Sequence, residues 1–257
     1  MDSGRKERTK ESGVDGQRKR VVSVLYTNCQ SLNNKRDDLK AFLGESEPDI
    51  ICLTECWTNE LIDSSILKLS GYEMMVRKDR MDTAGGRGGG VIIYVKEGIP
   101  AWEIDCDTDF CQVAGIEIKG DKGVATSIYC VYRSPNSSQL NDEKLLEWMR
   151  RREGRYVMCG DFNYPGIKWD EGRSDAKGRD FLEVIQSKFM WQHVSVGTHT
   201  SGNILDLVIS STESLVGELA LEGRLGSSDH ELLKFLVDVE VPEEKNNLKK
   251  RDFGKVN

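Results

Sequence analysis

Seven residues able to grip a cation, a phosphate or a proton stand at the edges of apolar runs in this sequence. Asn28 follows the run 21–26 and Glu55 the run 49–53. Tyr132 closes 125–132, Asp161 and Asn163 follow 156–159, and Asp229-His230 precede 232–237. The stretch 156–163, Tyr-Val-Met-Cys-Gly-Asp-Phe-Asn, shows the pattern most clearly. It begins as an apolar run with no polar face, as a strand covered on both sides does. Gly160 permits a turn or a close approach to a neighbour, and alternation puts Asp161 and Asn163 on one side. A carboxylate and an amide there suit a hard cation, an activated water and a phosphate oxygen. Taken alone, Asp, Asn, Pro165 and Gly166 also read as an ordinary turn. An eighth residue, Asp206, lies inside the apolar run 204–209. A buried carboxylate is costly unless paired. His230 is its natural partner, since a hydrogen bond to one ring nitrogen would fix the tautomer and support a charged ring.

The elements that must position these residues follow from periodicity. Strand 21–26, helix 34–46 and strand 49–55 make a strand-helix-strand unit, with Leu39, Phe42 and Leu43 on the apolar helix face. Further strands are expected at 72–77, 91–95, 113–118, 125–132, 204–209, 215–221 and 232–237, with helices at 142–152 and 177–190. The glycine-rich segment 85–90 invites a phosphate-loop reading. It lacks the Lys-Ser/Thr that should follow and leads into a strand instead of a helix, so we read it as a loop near the rim of a site. Strands outnumber helices, and their near-continuous apolar character implies sheets covered on both faces.

Composition bounds the function. The 257 residues are 38% hydrophobic and 31% charged, enough for one large domain spanning 21–240. Residues 1–20 read as a disordered basic tail and 241–257 as a polar linker. No apolar run approaches a membrane span, and the polar N-terminus is no signal peptide. A net charge of -7 argues against a protein that simply coats nucleic acid with a basic face. The seven cysteines form no CxxC pair, so we expect reduced thiols packed in an intracellular core. His199 reads as an exposed loop histidine before the Asp206 strand that could approach DNA, His193 as incidental, and Trp57 as a rim residue.

Six motifs then stand in a familiar order: Thr27-Asn28, Leu53-Thr54-Glu55, Tyr132-Arg133-Ser134-Pro135-Asn136, Gly160-Asp161-Phe162-Asn163, Leu205-Asp206 and Ser228-Asp229-His230. Together they resemble the endonuclease/exonuclease/phosphatase family, the DNase I-like fold. Within it the sequence is most similar to the apurinic-type endonuclease domain of non-LTR (LINE-type) retrotransposons. Tyr132 stands where secreted DNases carry a histidine, and Tyr-Arg-Ser-Pro-Asn and Gly202 to Ser210 look like the retroelement versions.

The resemblance implies an α/β fold, a four-layer α/β sandwich of two packed mixed β-sheets flanked by helices. It implies Mg2+, with Mn2+ as a substitute, held mainly by Glu55 with Asn28 close by and Asp229 assisting. Asp161 would orient or deprotonate water, and His230, held by Asp206, would be base or phosphate stabiliser. Asn163 and Tyr132 would contact the scissile phosphate, and Asn136 and Arg133 the substrate backbone, with Arg77, Lys78, Arg80 and Arg87 as further candidates. The expected partners are DNA and a reverse transcriptase domain in a full-length parent, with no membrane, and the expected location is the nucleus. Two rivals share the motifs: a phosphatase or RNA exonuclease of the same fold, and a binding module whose chemistry is dead.

Overall fold

In the computed structural model, residues 21–79, 88–120 and 124–239 are described. The expected basic tail, the polar linker, Arg80 and Arg87 lie outside them. Two six-stranded mixed sheets form the centre. The first contains β1 (Val21–Asn28), β2 (Ile50–Thr54), β3 (Tyr72–Lys78), β4 (Val91–Lys96), β11 (Val216–Arg224) and β12 (Glu231–Asp238) in the order β11-β12-β1-β2-β4-β3. The second contains β5 (Ala101–Glu103), β6 (Val113–Lys119), β7 (Ala125–Tyr132), β8 (Arg155–Asp161), β9 (Trp191–Gln192) and β10 (Asp206–Ser210) in the order β5-β6-β7-β8-β10-β9.

Each central strand has two apolar faces because each face meets a different layer. Tyr26, Cys52 and Ile93 of the first sheet pack against Ile128, Cys130 and Cys159 of the second. The alternate residues Leu25, Ile51 and Leu53 face Leu32, Leu39 and Leu43 of α1 (Leu32–Ser46). On the far side, Tyr129, Val131 and Met158 pack under Leu145, Trp148 and Phe181, from α2 (Gln139–Arg150) and α3 (Arg179–Ser187). The four layers are therefore helix, sheet, sheet and helix, as the continuous apolar runs imply.

Two parallel units deliver the site. β1-α1-β2 and β7-α2-β8 each put two neighbouring strands in parallel. Parallel strands finish at the same edge, so Asn28 and Glu55 emerge together from one sheet and Tyr132 and Asp161 from the other. β12 and β10 run antiparallel to β1 and β8, so their beginnings, His230 and Asp206, reach that same edge. Gly160 is needed here for close approach: a Cβ would lie 2.0 Å from the Val131 carbonyl oxygen on β7.

Several boundaries differ from the sequence reading. α2 begins earlier than residue 142 because Ser138 caps it, its Oγ accepting from the Asn141 N–H. β5 and β9 are too short to show a period. Asp206 opens its strand instead of lying inside it. All seven cysteines are free thiols, and only Cys111 is exposed. Among the described residues no helix is long and apolar enough to cross a membrane.

Candidate active site

The strand register builds the first half of the site. Asp161 is the direct partner of Tyr132 on β7 and of Asp206 on β10. Register partners face the same way, so a phenol and two carboxylates line up across three strands. The first sheet closes on this line with Asn28, Glu55, Asp229 and His230. The loops that leave β1, β2 and β8 pass through left-handed conformations at Gln30, Glu55 and Asn163, with φ of 41°, 53° and 52°. Such conformations persist where the surroundings dictate them, and they gather at working sites.

The expected Asp206–His230 pair is present: His230 Nδ1 lies 2.7 Å from Asp206 Oδ2, both residues buried. The other carboxylate oxygen, Oδ1, accepts from the Tyr26 hydroxyl at 2.9 Å, and that hydroxyl also meets Thr54 Oγ1 at 2.9 Å. Thr198 Oγ1 accepts from the backbone N–H groups of Leu205 and Asp206 and so anchors the start of β10. His230 Nε2 points to Asp161 Oδ2 at 3.9 Å and Asp229 Oδ1 at 3.6 Å. Burial alone would lower the His230 pKa. The Asp206 hydrogen bond and charge, helped by Asp161 and Asp229, outweigh it and bring the ring up to about 9. Burial, then repulsion from Asp206 and Glu55, push Asp161 well above the ordinary carboxylate range, against the pull of His230 and Asn28.

Glu55 is held from three directions. Its Oε1 accepts from the Tyr132 hydroxyl. Its Oε2 accepts from Trp57 Nε1 at 2.5 Å and the Gly89 N–H at 2.6 Å. The end of the glycine-rich loop thus reaches the site as a backbone donor to Glu55. Burial, then the Glu55 charge, raise the Tyr132 phenol far above its ordinary value, so it stays a donor. Carboxylates crowded at one edge with oxygen and nitrogen donors suit a hard divalent cation.

Several placements modify the sequence reading. Asn28 turns its amide nitrogen to Asp161 Oδ2 at 2.9 Å and its oxygen to the Gln30 N–H at 3.2 Å, so it supports Asp161. Asp229 lies on the other flank, beside Gln30 and His199. Glu55 and Asp229 belong to no common cluster of potential ligand atoms among the described residues. Asn163 donates to the Arg133 carbonyl at 3.0 Å, and Asn136 lies exposed on the turn after β7.

Arg133 is corrected. It is fully buried, forks onto both oxygens of Asp142 at 2.7 Å, bonds the Asn163 carbonyl and stacks 4.0 Å from the Tyr164 ring. The cause is the loop after β8, which folds over it. Arg133 braces Asn163 from beneath and does not face a substrate. Arg77 is likewise tied to Asp79 and to the Asn59 and Ile62 carbonyls, while Lys78 pairs with Glu103.

His199 is the residue the sequence reading passed over. An isolated bridge pairs it with His230, and its Nε2 lies 3.2 Å from Asp229 Oδ2. Its Thr-His-Thr setting gave no sign of this. Tyr26 carried a weak sign, since alternation places it on the same face as Asn28.

The fold has relatives among known proteins. A probable RNA-directed DNA polymerase from transposon BS of Drosophila melanogaster is 22% identical over 167 residues, a match covering 64% of this chain and 18% of that protein. Among solved structures, the endonuclease domain of TRAS1, a telomere-specific non-LTR retrotransposon, superposes with a TM-score of 0.64 at 16% identity, covering 86% of this chain and 100% of that one. The AP endonuclease LMAP from Leishmania major gives 0.65 at 14% identity, covering 85% and 88%. An AP endonuclease from Archaeoglobus fulgidus gives 0.64 at 16%, covering 85% and 100%. The model of the Endonuclease/Exonuclease/phosphatase family matches residues 25–230, and the chain belongs to that family.

Proposed function

We propose that this domain nicks DNA by hydrolysing a phosphodiester bond with a divalent cation, Mg2+ or in its place Mn2+, leaving 3'-hydroxyl and 5'-phosphate ends. It would serve as the target-nicking part of a non-LTR retroelement protein in the nucleus, where a reverse transcriptase domain could extend the nick. The observation that carries this reading is the Asp206–Asp161–Tyr132 line with His230 and Glu55 closing on it.

Glu55 is the main cation ligand in this reading, oriented by Tyr132, Trp57 and Gly89, with Asn28 close by and Asp229 assisting from the far flank. The bound cation supplies charge neutralisation at the phosphate and at the leaving oxygen. Asp161 orients the attacking water and takes its proton. His230 carries a proton up to about pH 9 and therefore acts as a cationic phosphate stabiliser more than as a base. Asp206 and Tyr26 fix its ring. Asn163, which gives one amide N–H to the Arg133 carbonyl, donates the other to a phosphate oxygen, and Tyr132 contacts the phosphate while its hydroxyl donates to Glu55. Asn163 borders a groove shared with Pro135, Lys177 and Asn203, which offers a path for the substrate backbone, and the exposed Asn136 follows Pro135 in the chain.

The test is nicking of supercoiled plasmid in Mg2+, with EDTA and His230→Ala as controls. Wild type should nick, both controls should lose activity, and end-labelling should find 3'-hydroxyl ends. A folded wild-type chain that leaves plasmid intact but releases phosphate from small esters would move the reading to a phosphatase. A chain that binds DNA without cutting it or any small ester would make it a dead module.

A further inference from the structure

The seam between the two sheets carries one ring of thiols below the site. Cys52 on β2, Cys130 on β7 and Cys159 on β8 have no exposed surface. Their three sulfur atoms all lie within 4.8 Å of one another. Cys130 and Cys159 are register partners, whereas Cys52 arrives from the opposite sheet. Cys130 Sγ donates across the seam to the Leu53 carbonyl at 3.7 Å, and Cys159 Sγ donates to the Tyr129 carbonyl at 3.6 Å.

Strand alternation fixes what stands above them. Tyr132 is two residues beyond Cys130, Asp161 two beyond Cys159 and Thr54 two beyond Cys52, each on the same face of its strand. The thiols therefore form the layer directly beneath the Tyr132–Asp161 line, and hydrolysis gives them no task.

Donor number and charge select the ligand. Zinc completes four-coordinate sites, and this cluster of the described residues offers three donors. A divalent cation on three thiolates would also leave a net charge in a core with no exposure, which is costly. A trivalent group-15 centre takes three sulfurs in a pyramid and leaves the product neutral.

We propose that Cys52, Cys130 and Cys159 bind one trivalent thiophile of the arsenous acid class through all three sulfurs. Three arsenic–oxygen bonds break and three arsenic–sulfur bonds form. The three thiol protons leave with the three hydroxides as water, and nothing is oxidised or reduced. Closing the pyramid draws β2 toward β7 and β8 and shifts Tyr132 and Asp161, so loading abolishes nicking. That last effect rests on the nuclease reading; the binding does not. Because the thiols are fully buried, loading takes place during refolding or through slow opening of the sandwich.

The full reduced chain would be refolded with one equivalent of arsenous acid. Native mass spectrometry should show one arsenic in place of three hydrogens, and arsenic X-ray absorption should show three sulfurs and no oxygen. Cys159→Ala and Cys52→Ala should each lose the three-sulfur signature, whereas Cys111→Ala at the exposed cysteine should keep it. No adduct in wild type, or arsenic on two sulfurs and one oxygen, would overturn the site, and neither readout needs a variant that folds. Nicking should disappear at one equivalent and return with a small dithiol. Full nicking by a chain carrying the three-sulfur adduct would overturn the coupling to the site. A chain that never nicks DNA still answers the binding question.

Discussion

Replacing Asp206 with Asn removes the charge that holds His230 protonated and leaves a side chain of nearly the same size. The hydrogen bond and charge of Asp206 are the main forces raising the His230 pKa to about 9, against burial that lowers it. Without them burial pulls the ring back toward its ordinary 6.5, with only Asp161 and Asp229 still raising it. At about pH 8, roughly nine-tenths of rings are protonated with the first value and about one in thirty with the second, which predicts a loss of about 30-fold in nicking rate. At about pH 6 most rings are protonated in both proteins, so the deficit should shrink to roughly twofold or less. The assay is initial nicking rate on supercoiled plasmid across pH, with the ring protons of His230 followed by NMR in EDTA. The reasoning is refuted if the variant's deficit is the same at both pH values, or if its His230 still titrates near the wild-type value.

Further outcomes follow from the same contacts. Tyr26→Phe keeps the ring but deletes the buried donor to Asp206, so it should cost about 1–2 kcal/mol in urea unfolding and lower the His230 activity limb without changing KM. Arg133→Ala leaves Asp142 unpaired beneath the Asn163 loop and should cost about 3 kcal/mol of stability while leaving the salt dependence of DNA binding intact; a changed salt slope would instead mark it as a phosphate contact. In EDTA, stability should fall with rising pH. The folded state keeps the His230 proton to about 9 whereas the unfolded chain gives it up near 6.5, so this contribution is complete below the lower value and gone above the upper, an amount of ~3 kcal/mol. The raised Asp161 acts in the same direction. Denaturation midpoints that are flat or rise across that window would contradict the assignment.

Much of the fold was legible in the chain because two-faced burial leaves a local mark. A strand covered on both sides reads as an unbroken apolar run, and the polar residue that ends it marks the edge of the sheet. Asn28, Glu55, Tyr132 and Asp161 were readable on that ground, and the Asp206–His230 pair followed from the cost of burying a carboxylate alone. Short edge strands such as β5 and β9 carried too few residues to show a period.

The tertiary structure decided the rest, because it depended on which distant segments meet. Nothing local distinguishes a cationic Arg133 aimed at solvent from one folded under the loop after β8 and forked onto Asp142. His199 joined Asp229 and His230 only through an isolated bridge between separated loops. Tyr26 found Asp206 across 180 residues of sequence, because the packing of one sheet on the other set β1 and β10 on opposite sides of one seam. The sequence by itself determined which residues could do chemistry and that strands would present them. The packing of one sheet on the other determined their distances, their burial and so their charges, since electrostatic work depends on separation and surroundings that no single segment contains.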